Sequence, residues 1–101
     1  MQNVFIKTEK KKEIIDITDE IEKILPVDIG LCNIFVKHDL AALAVADLGA
    51  GADPNTINAG SSISLPVSGG KFIFGACQRL ALVELDGPRE MEIVITFIEE
   101  E

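Results

Sequence analysis

Few side chains in this sequence are equipped for chemistry. The single histidine, His38, belongs to the one residue type that titrates near neutrality, which suits a general base, a general acid or a metal ligand. Gln78, Glu84 and Asp86 fall at even spacing, so an unbroken strand would set them on one face. Two carboxylates placed that way can bind a cation or tune a proton transfer. Ser61 and Ser62 offer adjacent hydroxyls to an anion. Each of these also has a plainer reading: a strand-end histidine bonded to a neighbouring carbonyl, a Glu84 facing water, an Asp86 that only forms the turn before Gly87-Pro88, serines that open a strand. The nucleophilic and metal-binding repertoire is thin. One histidine cannot build a His-rich metal centre, and Cys32 and Cys77 lie far apart in apolar runs, which favours two reduced, buried thiols over a disulfide or a zinc knuckle. No metal site is assigned and the cofactor stays unknown. Neither Gly69-Gly70 nor Gly49-x-Gly51 matches a P-loop or a dinucleotide fingerprint, and no Gly-x-Ser-x-Gly nucleophile turn occurs.

The elements that must position these residues read mainly as strands. Residues 61–88 organise the chain: two strands joined at Gly69-Gly70, a hairpin signal because only glycine enters positive φ without steric cost, then a long third strand stopped by Asp86-Gly87-Pro88. Upstream, residues 4–8 and 13–17 read as a hairpin around the charged turn Lys10-Lys11-Lys12. Thr18 then offers an N-cap, with Asp19 and Glu20 in the first turn, and Ile17, Ile21, Ile24 and Leu25 make the apolar stripe of a short helix ended by Pro26. Residues 31–37 are apolar at nearly every position, the pattern of a central strand covered on both faces, and His38 sits at its end. Residues 41–45 form a small-residue strand, and 47–55 form a loop. Past Pro88, Met91, Ile93, Ile95 and Phe97 alternate with Glu90, Glu92, Val94, Thr96 and Ile98, a strand with one wholly apolar face. Glu99, Glu100 and Glu101 are expected to fray.

The whole fits one domain over residues 1–101, with 48% apolar residues and no tryptophan or tyrosine to fill the core. Nine basic against seventeen acidic residues give a net charge of −8, which argues against nucleic acid, since phosphate binding needs clustered cations. No apolar run approaches the roughly 18 residues of a membrane helix, and the N-terminus lacks a signal peptide's features, so a cytoplasmic chain with no membrane partner is expected.

The segment Ser61-Ser62-Ile63-Ser64-Leu65-Pro66-Val67, followed by Gly70, Gly75, Gln78, Glu84 and Asp86-Gly87-Pro88, resembles the signature of the YjbQ-like family, also described as the secondary thiamine-phosphate synthase family. Upstream pieces agree in order: residues 15–21 (Ile-Asp-Ile-Thr-Asp-Glu-Ile), Phe35-Val36-Lys37-His38 with Ala41-Ala42, and Ala52-Asp53-Pro54. The resemblance implies an α+β, strand-rich fold with a mixed or antiparallel sheet system and one short N-terminal helix. It further implies a homotrimer and a polar, histidine-containing pocket near the subunit boundary that holds a metal or an anion. The chain also departs from the pattern. Members carry a long His-, Asn- and Asp-rich segment between the Asp-Pro loop and the Gly-Ser-Ser strand, but here only five residues separate Pro54 from Gly60. The family's Pro-His-Thr-Thr is Lys37-His38-Asp39-Leu40, and the aromatic residue before the glutamine is Cys77.

Three readings follow. The first is a shortened member that keeps a trimeric scaffold and has lost most of the histidine site. The second is a weak thiamine-phosphate-synthase-like enzyme acting through His38, Gln78 and Glu84, with Asp39 or Asp47 contributing. The third is a binding module for a small anion or phosphate-containing ligand that uses Ser61 and Ser62.

Overall fold

In chain order the strands are β1 (Gln2–Lys7), β2 (Glu13–Asp16), β3 (Gly30–Val36), β4 (Ala41–Ala46), β5 (Ser62–Ser68), β6 (Lys71–Phe72), β7 (Arg79–Glu84) and β8 (Glu90–Glu99), with one helix, α1 (Thr18–Glu22), between β2 and β3. The computed structural model describes residues 1–50, 53, 54 and 59–100. Five strands make one sheet in the order β1-β8-β3-β5-β6, and three make a second in the order β2-β7-β4. Every strand pairing among the described residues is antiparallel. The strand-rich architecture with one short helix is as expected, and the sheet system is antiparallel rather than mixed.

The alternation in β8 does what its period demands. Met91, Ile93 and Ile95 are buried between the sheets, alongside Cys32, Ile34 and Val36 of β3 and Leu80 and Leu82 of β7. Ile17 and Ile21 of the helical stripe join the same core, with Ile24 and Leu25 packed against it. The Gly69-Gly70 hairpin is present, with φ of 64° and 78° at the two glycines, the two positive values that a two-residue type I′ connection requires.

Four local expectations are corrected. Strands β1 and β2 form no hairpin with each other: β1 pairs with β8 and β2 with β7, in different sheets, so the Lys10–Lys12 turn is a crossover between layers. Thr18 is not an N-cap. Its buried hydroxyl accepts from the Leu80 N–H at 2.8 Å, extending the β2–β7 ladder, while the Asp16 carboxylate accepts the Thr18 N–H at 3.0 Å. Strand β3 is central but covered on one face only, because Leu31 and Phe35 remain 51% and 40% exposed; the strand buried on both faces is β7, from Leu80 to Glu84. Glu99 belongs to β8 and the Glu100 N–H donates to the Ile29 carbonyl at 2.7 Å, so the chain is held that far. Glu101 lies outside the described residues. So does much of the loop expected over 47–55: the chain makes a 3-10 turn at Leu48–Ala50, with Asp47 accepting the Gly49 N–H, and residues 51, 52 and 55–58 are outside the description.

Gly30 opens β3 where it runs between β8 and β5, and a methyl group there would strike the Ile98 carbonyl and lie 2.8 Å from the Phe97 ring. Gly30→Ala is therefore expected to cost about 1–3 kcal/mol, as overpacking in a fixed backbone does, measured as a lower urea midpoint. An unchanged midpoint would mean that β3 and β8 can separate there without cost.

Candidate functional site

His38 is delivered by the end of β3. One residue beyond that strand the Lys37 N–H still donates to the Glu92 carbonyl at 3.2 Å. The imidazole then takes over the ladder: its Nε2 accepts the Glu92 N–H at 2.9 Å. An acceptor Nε2 places the ring proton on Nδ1, so in this arrangement His38 is a neutral donor through Nδ1 and its Nε2 is not free to act as a base. The expected bond to a carbonyl is thus replaced by one to an amide.

Ser61 reaches the same place from the other side. Gly60 bridges to Leu43 of the three-stranded sheet, and the next carbonyl, that of Ser61, accepts the Val36 N–H at 3.0 Å. Together Phe35, Val36, Lys37, His38, Asp39 and Ser61 line an open cavity of about 360 Å³. The Lys37 ammonium pairs with the Glu92 carboxylate at 3.1 Å, and the Asn3 amide also donates to that carboxylate. Lys37 and, behind it, Asn3 hold the Glu92 carboxyl below the ordinary glutamate value, against the opposing effect of burial. Ser62 points elsewhere: its hydroxyl accepts from Asn33 Nδ2 at 3.0 Å on the outer face of the larger sheet, beside Ser64.

The other expected site residues are not gathered with His38. Gln78 sits in the exposed turn before β7, where its side-chain carbonyl accepts the Gly75 N–H at 2.7 Å and its own N–H returns to the Gly75 carbonyl at 3.1 Å. Glu84 ends the same strand, about 20 Å away at the usual rise per residue. The shared face expected for Gln78, Glu84 and Asp86 does not form, because only Glu84 is within β7.

Glu84 is fully buried rather than facing water. It shares the parity of Leu80 and Leu82, so its side chain enters the end of the core, where donors converge on it. Arg89 gives Nε at 3.2 Å and Nη2 at 3.1 Å, the Asp86 N–H donates at 3.0 Å, and the Thr8 hydroxyl lies 3.1 Å away. Burial raises the Glu84 pKa, but these bonds outweigh it and hold the carboxyl below its ordinary 4.5. The donor set that matters here is Thr8 and Arg89, which sequence reasoning missed. A glutamate at core parity in an apolar strand, five residues before an arginine across a tight turn, is the signal that was available.

The cysteines differ from each other. Cys32 is buried, which pushes its thiol up to about 11 and makes it a poor nucleophile, whereas Cys77 is exposed, contrary to expectation; both are free. Among the described residues no group of three or more His, Cys, Asp or Glu side chains is arranged to hold a metal ion, and no helix is long and apolar enough to cross a membrane.

The larger sheet has one further feature. Its outer face carries a three-by-three block set by the register: Phe35 between Val94 and Ser62, Asn33 between Thr96 and Ser64, and Leu31 between Ile98 and Pro66. No ionisable side chain interrupts the block, in a chain that is 26% charged. Phe5 and Ile98 are also exposed beside and within it, and Phe35 is shared with the His38 cavity.

The family described as UPF0047 protein YjbQ-like matches residues 2–59 and 50–100 of this chain. A UPF0047 protein of Mycobacterium tuberculosis is 30% identical over 122 positions, covering 88% of this chain and 91% of that protein. One from Archaeoglobus fulgidus is 28% identical over 119 positions, covering 89% and 94%. Both alignments are longer than the 101 residues of the chain, so each relative holds residues with no counterpart here, and the two family matches meet at residues 50–59. Among solved structures, a YbjQ-like protein of unknown function from Sulfolobus solfataricus superimposes with a TM-score of 0.80 at 28% identity, over 98% of this chain and 96% of that one. A conserved hypothetical protein from Thermus thermophilus, at 22% identity, shares the fold with a TM-score of 0.83 over 97% and 100%.

Proposed function

The chain belongs to the YjbQ-like UPF0047 family, and we propose that it is a shortened member whose role is that of a self-associating scaffold, a homotrimer formed through the outer face of its five-stranded sheet. The observation that carries this reading is the uncharged block around Asn33, flanked by Leu31, Phe35 and Ile98 at 51%, 40% and 64% exposure. Apolar surface left to water costs about 25 cal/mol per Å² relative to burial, and interface cores are depleted of charge in just this way. Light scattering on the purified chain tests it.

A second reading is favoured by the tautomer of His38: the cavity beside it is a small-anion site at the edge of the assembled face. Nδ1–H and the Ser61 hydroxyl are neutral donors, and Lys37 supplies charge partly offset by Glu92 and by Asp39. Because Phe35 belongs both to the outer face and to the cavity, assembly would place the cavity at a subunit boundary. Calorimetry with inorganic phosphate is expected to give weak binding, with affinity falling at least tenfold in His38→Ala. Equal heats in the two proteins would remove this reading. Turnover of thiamine-phosphate type would require Gln78 to act from the turn before β7, or Glu84 to act while fully buried and bonded by Arg89, the Asp86 N–H and Thr8. An activity equal in His38→Ala and wild type would end that alternative too.

A further inference from the structure

We propose that Arg89 is a positioning residue for the His38 cavity, carrying the fixed location of the buried Glu84 carboxylate to the loop that holds the imidazole. The inference deepens the anion-site reading and rests on it only for what the cavity binds. The guanidinium spans two elements. Its Nε and Nη2 lie 3.2 and 3.1 Å from Glu84, and the same Nη2 donates to the Asp39 carbonyl at 2.6 Å. Glu84 is anchored in the core, being fully buried and bonded also by the Asp86 N–H. The bond to Asp39 is therefore a tether from the core to the residue next to His38.

The loop needs a tether because its backbone is strained. Leu40 has φ of 58°, in the left-handed region that a leucine enters at a cost. Such a conformation persists only where its surroundings determine it. Here the two carbonyls that set it are both taken: that of Asp39 by Arg89, and that of Leu40 by the Leu85 N–H at 2.9 Å. With the loop so held, the imidazole stands where Nε2 meets the Glu92 N–H, and the Nδ1–H tautomer is selected. Lysine at position 89 keeps a cation for Glu84, but one ammonium on a flexible stem does not reproduce the planar fork that reaches both Glu84 and Asp39.

The test uses the sole histidine, whose ring nitrogens need no assignment in a ¹⁵N-labelled sample at mildly alkaline pH. Wild type is expected to show one tautomer, with Nδ1 protonated and Nε2 unprotonated. Arg89→Lys is expected to show a mixture of tautomers. Thr8→Val is the control: it removes a hydroxyl that accepts the Arg89 N–H at 2.9 Å and so destabilises the same corner, yet leaves the Arg89–Asp39 bond in place. It is expected to keep the wild-type tautomer. A single tautomer in Arg89→Lys, or equal scrambling in Thr8→Val, would overturn the proposal. Phosphate affinity in Arg89→Lys is expected to fall about tenfold if the competent loop drops to a tenth of the population. Wild-type protein that binds no phosphate would sink the anion site alone, since the tautomer comparison decides Arg89 by itself.

Discussion

Glu84→Gln is expected to be the most damaging of the conservative substitutions in this chain. The carboxylate receives N–H groups from Arg89 and Asp86, and the Thr8 hydroxyl has one proton to share between Glu84 and the Arg89 carbonyl, 3.0 Å away. An amide offers one acceptor and turns two donors toward donors, leaving the Arg89 charge half-enclosed without its counter-ion. Breaking a buried pair from one side costs about 3–5 kcal/mol; with Arg89 28% exposed, about 2–4 kcal/mol is the expected loss. For a domain of this size that is on the order of 10–20 °C in Tm. The pH dependence follows from the lowered pKa of Glu84. Its stabilisation is complete above the ordinary value of 4.5 and is lost as pH falls through the lower folded value. The gap between wild type and Glu84→Gln should therefore be widest near neutrality and close on acidification. Asp16, also held low against burial by Arg79 and Thr18, adds acid sensitivity of the same sign that both proteins retain. Urea unfolding of both proteins from pH 7 to pH 3 measures this. A constant gap across that range would show that the Glu84 carboxylate contributes nothing through its charge.

Phe35→Glu and Ile98→Glu are expected to dissociate the proposed trimer at micromolar concentration while leaving each chain folded. Both side chains point away from the core, so neither substitution opens a cavity, and outward changes of this kind shift intrinsic stability by only about 0.5 kcal/mol. In the assembled form either carboxylate would be buried without a partner, on copies that each already carry −8. The two variants divide the roles of the face. Phe35 borders the His38 cavity and Ile98 does not, so loss of assembly in both is a property of the face and not of the cavity. Sedimentation velocity reads the outcome. Variants that keep the wild-type mass would place any interface elsewhere.

What was legible in the sequence was what depends on neighbours a few residues away. The Gly69-Gly70 turn, the period of β8 and the apolar stripe Ile17-Ile21-Ile24-Leu25 are local, and each is present, although the helix closes at Glu22, short of Pro26, and leaves Ile24 and Leu25 in the turn beyond it. Pairing partners are not local. The turn at residues 10–12 looks the same whether the chain doubles back or crosses to another sheet, and only the apolar faces of β8 and β7 decide that it crosses. The run at 31–37 read as doubly covered because Leu31 and Phe35 are apolar, but apolarity does not say which chain covers them. The site suffered likewise. His38 at a strand end was readable, whereas its bond to Glu92, the tether from Arg89 and the left-handed Leu40 all arise from segments some 45 to 54 residues apart. Even spacing placed Gln78 and Glu84 together only on the premise of an unbroken strand, and the strand starts at Arg79.

The scaffold reading stands or falls on the mass of the wild-type chain in solution. Light scattering behind gel filtration, at micromolar concentration and physiological salt, is expected to give three times the 10.9 kDa of one chain. A mass of 10.9 kDa across the concentration range would contradict it, because the uncharged face around Asn33 would then be stable in water on its own.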